Sequence, residues 1–144
     1  VISDNPEIVA AAVTTLGAIL APNDKVPACL LTAAGRHEPV ICVAAATALR
    51  SFPGSADELL PAVTKLLASD DVAVRLAAID TLAMLGPAAD PAIPALNAAI
   101  EDPRGAVAIH AVEALGQIGA AAVPTLAARL RDPKYAPLMV TTLG

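Results

Sequence analysis

The chain has 144 residues, a net charge of −5 and an apolar fraction of 56%, yet only one Phe, one Tyr and no Trp. That length suits one compact domain or one short repeat array, and the acidic balance speaks against a nucleic-acid binder, which carries a basic patch or stripe, and against an anionic membrane surface. The longest uncharged runs, residues 8–23 and 114–128, are short or broken by proline, so no membrane-spanning helix of about 20 apolar residues is expected; no signal-peptide pattern opens the chain, and its compartment, cytoplasmic or exported, stays open.

In chain order, Asn5-Pro6 opens the first predicted helix, with Asn as the N-cap and proline at the first helical position, where its missing N–H costs nothing. Ile8, Ala12, Val13, Leu16, Ile19 and Leu20 form one apolar stripe at helical spacing. Pro22-Asn23-Asp24 ends this helix and starts a short one to about Ala34, with Pro27 in its first turn. After the turn at Gly35-Arg36-His37, Glu38-Pro39 opens a long helix with the stripe Ile41, Ala45, Ala46, Leu49, Phe52, stopped by Pro53-Gly54. Ser55-x-x-Glu58 reads as a capping box for a short helix to about Ala68. A long helix over 71–85 stops at Gly86-Pro87, and Asp90-Pro91 opens its short companion. Asp102-Pro103 precedes another long helix ending at Gly119, followed by a short one to about Leu130; Asp132-Pro133 opens a last helix striped by Leu138, Met139 and Leu143. No strand-like alternation is present, so the chain reads as all-α.

The helices repeat. Leu16, Leu49, Leu82 and Leu115 stand 33 residues apart; Ala12, Ala45, Ala78 and Ala111 precede them by four, and Ile19, Phe52, Leu85 and Ile118 follow by three. The short helices repeat too, with Pro27, Pro61, Pro94 and Pro124 each followed two residues later by Cys29, Val63, Leu96 or Leu126. A fixed period in this range marks an α-solenoid. Alanine at one register in every unit implies helices that approach closely, with Ala78 and Ala111 at the contacts. Cys29 takes an inward place and Cys42 sits on the antiparallel neighbour at nearly the same height, within about 3 Å at 1.5 Å per residue; the expectation is two buried neighbouring thiols, reduced rather than bridged, since two cysteines make no disulfide framework.

The units lack the T-P-L-H motif of ankyrin repeats and the bulky aromatic places of tetratricopeptide repeats. The run from Asp71 to Arg75 with Ala78 to Gly86, and AVEALGQIG over 111–119 followed by Val123-Pro124-Thr125-Leu126, resemble the HEAT-like repeats of phycobilisome bilin lyases across essentially the whole chain. The resemblance implies a right-handed solenoid of about four and a half helical hairpins in one domain, residues 1–144, with repeats near 5–37, 38–69, 70–101, 102–131 and a partial 132–144. Long helices would lie outside and short ones line the concave side. The family's arginine in the long helix survives only as Arg75, its counterparts being Val9, Cys42, Ala108 and Ala136, so no continuous charged ladder is expected through the stack.

Candidate chemistry is sparse. HEAT-type deoxyhypusine hydroxylases bind iron through His-Glu pairs in the long helix, but His37-Glu38 falls in a turn, and the matching places are Leu76-Ala77 and Ile109-His110. The plain reading is a solvated turn with Glu38 as N-cap. His110 and Glu113 can meet on one helix face, yet two residues fall short of the three or four ligands of a zinc site. HEAT-like DNA glycosylases use basic and aromatic side chains on the concave face, where this chain offers Ala62, Thr64, Ala95, Asn97, Thr125 and Ala128, with only Lys65 and Arg129 basic. No catalytic residue, metal or cofactor is assigned. The functional expectation is a non-enzymatic protein-interaction module or scaffold, with Lys65, Asn97 and Arg129 on its concave interaction face. The alternatives are an accessory domain of a larger enzyme and a bilin lyase-type enzyme. A protein partner is expected, without nucleic acid or membrane insertion. The last helix, lacking a short companion, is expected to leave Leu138, Met139 or Leu143 uncovered, as in a piece of a longer solenoid or one covered by a partner.

Overall fold

The computed structural model describes residues 5–20 and 25–143, Leu143 by its backbone alone. The expected break at Pro22-Asn23-Asp24 and the side chain of Leu143 lie outside the described residues. Helices α1 (Pro6–Ile19), α3 (Pro39–Leu49), α5 (Val72–Leu85), α7 (Gly105–Ile118) and α9 (Ala136–Leu143) form one layer, each packed on the next. Helices α2 (Ala28–Ala34), α4 (Ala56–Leu66), α6 (Ile93–Ala99) and α8 (Val123–Arg131) lie against that layer, each on the odd-numbered helix that follows it. Among the described residues there is no strand.

Local chemistry sets the helix ends. The Asn5 side chain accepts the Glu7 amide at 2.9 Å, and Asp71 Oδ1 accepts those of Ala73 and Val74 at 2.8 and 3.2 Å, pairing amides that lack intrahelical partners. Gly86 (φ 55°) and Gly119 (φ 93°) end α5 and α7 in the left-handed region, where a Cβ would be strained. Other ends differ from the sequence expectation. Ser55 holds the N-cap place of α4 without a capping hydrogen bond, so the Ser55/Glu58 box does not form, because a 3₁₀ turn over Pro53–Ser55 enters the helix directly. Glu38 also caps by position alone; its carboxylate meets Arg36 at 3.2 and 3.3 Å instead. Asp90-Pro91 lies inside a 3₁₀ run, Gly86–Ala92, and α6 starts only at Ile93.

The core follows the 33-residue period from the second unit onward. Ala45, Ala78 and Ala111 are fully buried, as are Leu49, Leu82 and Leu115. In α1 the register departs. Ala10, Val13 and Gly17 are buried, whereas Ala12, Leu16 and Ile19 are exposed. α1 presses its glycine side onto α3, close enough that a Cβ on Gly17 would stand 2.5 Å from Ala48 Cβ. The C-terminal expectation is corrected for two of its three residues. Met139 is fully buried and Leu138 partly so, packed in the core beside Tyr135. On α1, Ile8, Leu16 and Ile19 are exposed, and on α9 Val140 is.

Cys42 is buried, but Cys29 is exposed, and both are free thiols. The expected pair of inward thiols fails for a local reason. Pro61, Pro94 and Pro124 lie within their helices, whereas Pro27 is an extended N-cap (φ −63°, ψ 130°) outside α2. The helix starts later, and Leu30 takes the inward place.

The stretch Val72–Ala99 is long and apolar enough to cross a membrane by length and composition, which the sequence reading did not expect. It is α5, the 3₁₀ run and α6 in succession, broken by Gly86 and with its core side chains packed between neighbouring units.

Candidate functional site

The structure brings two of the three proposed interaction residues together. Arg129 on α8 donates through Nε to Asn97 Oδ1 on α6 at 2.8 Å and through Nη2 to the Asn97 carbonyl at 3.2 Å. The same Nη2 lies 3.0 Å from Glu101 Oε1, and the guanidinium carbon stands 4.6 Å from the centre of the Tyr135 ring. A planar donor with a fork of N–H groups suits this set; a lysine would supply one point charge. Tyr135 is buried, and Lys134 Nζ lies 4.8 Å from its ring centre. Arg129 thus ties α6 to α8 and to the turn before α9, with its side chain only 15% exposed. Its main effect is to hold adjacent units in register. Lys65 stands apart, exposed on α4 at an open cleft of about 410 Å³ lined also by His37, Cys42, Asp70 and Asp71.

A second staple joins α5 to the turn before α7. Arg75 Nε lies 2.9 Å from Asp102 Oδ2, with both side chains largely buried. The contact is an ion pair by distance, but the N–H does not align with an acceptor; Nη1 donates to the Ser69 carbonyl. The lone family arginine therefore does reach an acid of the next unit. Flanking it are two open grooves of about 390 Å³ each. One runs between α4 and α6, with Leu67, Ala68, Ala95, Ala98 and Ala99 as its apolar wall and Thr64, Arg75, Glu101 and Asp102 as its polar members. Asp102 also accepts the Arg104 amide at 2.9 Å, which shapes the entry to α7.

The histidines do other work than expected. His110 Nδ1 lies 3.0 Å from Asp80 Oδ1 on α5, so its partner is across the units and not Glu113. His37 is exposed in the α2–α3 turn. Among the described residues no three His, Cys, Asp or Glu side chains converge as metal ligands. Burial, reinforced by the charges of Glu38 and Asp71, pushes the Cys42 thiol above its usual range, and Sγ donates to the Arg36 carbonyl at 2.9 Å. Such a thiol is a poor nucleophile at neutral pH. The hydrogen bond from Arg36 holds the exposed Glu38 carboxyl below its usual range.

Sequence reasoning missed Thr81, Glu101 and Tyr135. Thr81 is fully buried, and its hydroxyl lies 3.1 Å from the Ala46 carbonyl of α3 and 2.7 Å from that of Ala77. The signal was available in outline, because these contacts cross about one repeat: 35 residues for Thr81–Ala46, 32 for Arg129–Asn97 and 30 for His110–Asp80.

The family model for HEAT repeats matches residues 60–138. No curated protein sequence matches the chain.

Proposed function

The chain belongs to the HEAT-repeat family, and from that premise we propose that it is a non-enzymatic protein-interaction module that binds its partner along the short-helix face, on the inner curve of a right-handed solenoid. HEAT repeats generally mediate protein–protein interaction. The observation that carries the reading for this chain is the groove between α4 and α6, an alanine- and leucine-lined trough with Thr64, Glu101 and Asp102 along it. A trough of small side chains lets a partner's backbone or a bulky aliphatic side chain come close, while polar groups at its margin set orientation. The Arg75 and Arg129 staples hold the flanking units in place before binding, which lowers the ordering cost of association.

The test is selection of peptides from a displayed library on the full chain, followed by substitution of Ala98, which lines the groove. Ala98→Glu should abolish binding of the selected peptides while circular dichroism stays unchanged. Peptides that bind the variant equally well, or a selection that returns none, would refute the assignment of this face.

A further inference from the structure

The trough between α4 and α6 has an apolar middle and charged ends. It runs on past the Arg75–Asp102 pair into the second groove, which shares Leu67 and Ala68 with it and adds Asp70 and Arg104. Two of the cations along it are already matched within the chain, Arg75 by Asp102 at 2.9 Å and Arg129 by Glu101 at 3.0 Å. The remaining charges are not. At one end, Asp57 lies on α4 seven residues before Thr64 and therefore on the same side of the helix, and Asp90 lies in the 3₁₀ run Gly86–Ala92, which packs on α4. At the other end stand Asp70 and Arg104. All four are exposed, and among the described residues none has an ion-pair partner. Glu58 and Lys65, also seven residues apart, share a different side of α4, where Lys65 lines the cleft beside Cys42. The unmatched charge of the trough is thus three carboxylates against one guanidinium, with acid at both ends, and the net charge of the chain, −5, acts in the same sense.

Resting on the reading that this trough binds a protein, we propose that the partner is a basic segment: an extended stretch with bulky aliphatic side chains in its middle and lysine or arginine on both sides. The alanine walls leave room for the aliphatic side chains and for the partner's backbone, and the carboxylates at the ends meet its cations. The stretch from Asp57 to Leu66 is about 14 Å long at 1.5 Å per residue, so four or five residues of an extended segment, at about 3.3 Å each, separate the two basic ends. An acidic segment meets like charge at both ends, which costs affinity and slows encounter. One exposed ion pair changes affinity by at most about fivefold, so the carboxylates act together.

The experiment titrates the full 144-residue chain into three fluorescein-labelled peptides with the same leucine–alanine centre, flanked on both sides by lysines, by glutamines or by glutamates, read by anisotropy at about 0.05 and about 0.5 M salt. The lysine-flanked peptide should bind saturably and about tenfold or more tightly than the glutamine-flanked one, the gap should close at high salt, and the glutamate-flanked peptide should bind least. Asp57→Asn, Asp70→Asn and Asp90→Asn together should weaken the lysine-flanked peptide by about tenfold and leave the glutamine-flanked one unchanged; the three positions are exposed, and circular dichroism checks that the variant keeps its helicity. Ala98→Leu fills the trough without adding charge and should weaken the lysine-flanked peptide. Equal binding of the lysine- and glutamine-flanked peptides, or lysine-flanked binding indifferent to the three asparagines, overturns the basic partner, while a loss on Ala98→Leu in the same experiment leaves the trough standing. Lysine-flanked binding that ignores Ala98→Leu overturns the proposal as charge attraction outside the trough. Binding of none of the three peptides also overturns it, and the library selection then judges the trough by itself.

Discussion

Thr81→Val tests how consecutive units are joined. At the end of α3 the last four carbonyls lack the helix's own donors. Three are met by tighter turns: Arg50 N–H to Thr47, Ser51 N–H to Ala48 and Phe52 N–H to Leu49, at 3.3, 3.1 and 3.0 Å. Arg50 N–H, the amide that would have served Ala46, is used by Thr47, and Ala46 is completely buried. Its carbonyl lies 3.1 Å from the Thr81 hydroxyl of α5, whose one proton is shared between Ala46 and the nearer Ala77 carbonyl at 2.7 Å. Thr81→Val keeps the shape and the β-branch and removes this shared donor, leaving the buried Ala46 carbonyl unpaired, at a cost of up to about 1–3 kcal/mol. Thr81→Ser keeps the hydroxyl and loses one methyl group, worth about 0.8 kcal/mol by burial. Urea unfolding of the three proteins should therefore rank wild type above Ser and Ser above Val. Backbone hydrogen exchange should accelerate at Arg50 and Ser51 in the Val variant, where α3 ends. A Val variant as stable as wild type, or a Ser variant that loses as much as Val, would refute the argument that the hydroxyl caps the preceding unit.

Four further outcomes follow from the packing. Gly17→Ala stabilises an exposed helix by up to about 1 kcal/mol, but here the new Cβ meets Ala48 Cβ at 2.5 Å and its Cα at 2.8 Å, so thermal melts should show a net loss, toward the 1–3 kcal/mol or so of an overpacked core. Leu82→Ala should cost about 2–5 kcal/mol in urea melts, while Leu16→Ala, at the same repeat position but 42% exposed, should cost under about 1 kcal/mol; equal costs would place α1 under cover. In native protein a chromogenic disulfide reagent should label Cys29 promptly and Cys42 only on denaturation, because Cys42 is buried and its thiol is pushed up. Since the folded state raises that pKa, its contribution to stability is full below the ordinary thiol value of about 8.5 and is lost as pH rises through the raised one; Cys42→Ala should flatten this alkaline decline. Arg129→Lys keeps the charge but not the fork to Asn97 and Glu101, and should lower stability by up to about 1.5–3 kcal/mol, the range for hydrogen bonds to a charged group.

What was legible in the sequence is what every unit shares. Ala45, Ala78 and Ala111 see the same kind of neighbour on both sides, so one period describes all three, and all three are buried. The same rule misplaces Leu16. Periodicity marks which side of a helix is apolar, but burial also requires something to lie over it, and among the described residues α1 packs against one long helix, α3. Gly17 carried the missing information, since a glycine inside a helix costs about 1 kcal/mol relative to alanine and invites a search for the backbone it lets approach. Cys29 failed for a smaller cause: Pro27 stands one place outside its helix, whereas Pro61, Pro94 and Pro124 stand within theirs, and one residue rotates a helical side chain by roughly 100°.

The polar contacts were harder to read because they depend on pairs that no single unit contains. Asn97 and Arg129 were each placed on the short-helix face by register, and that placement is compatible with exposed ligand-binding side chains or with a staple between α6 and α8. The distances choose the staple for Arg129, whose donors are engaged by Asn97 and Glu101. This changes where recognition can occur. A guanidinium already spent on neighbouring units has little left for a partner, so the face proposed to bind is the small-residue trough between α4 and α6; Arg75 ties its walls through Ser69 and Asp102, and Arg129 anchors α6 to α8. The proposal then separates the two roles: Ala98→Glu should remove binding and leave stability nearly unchanged, whereas Arg129→Lys should lower stability and weaken binding only to the extent that the trough loosens.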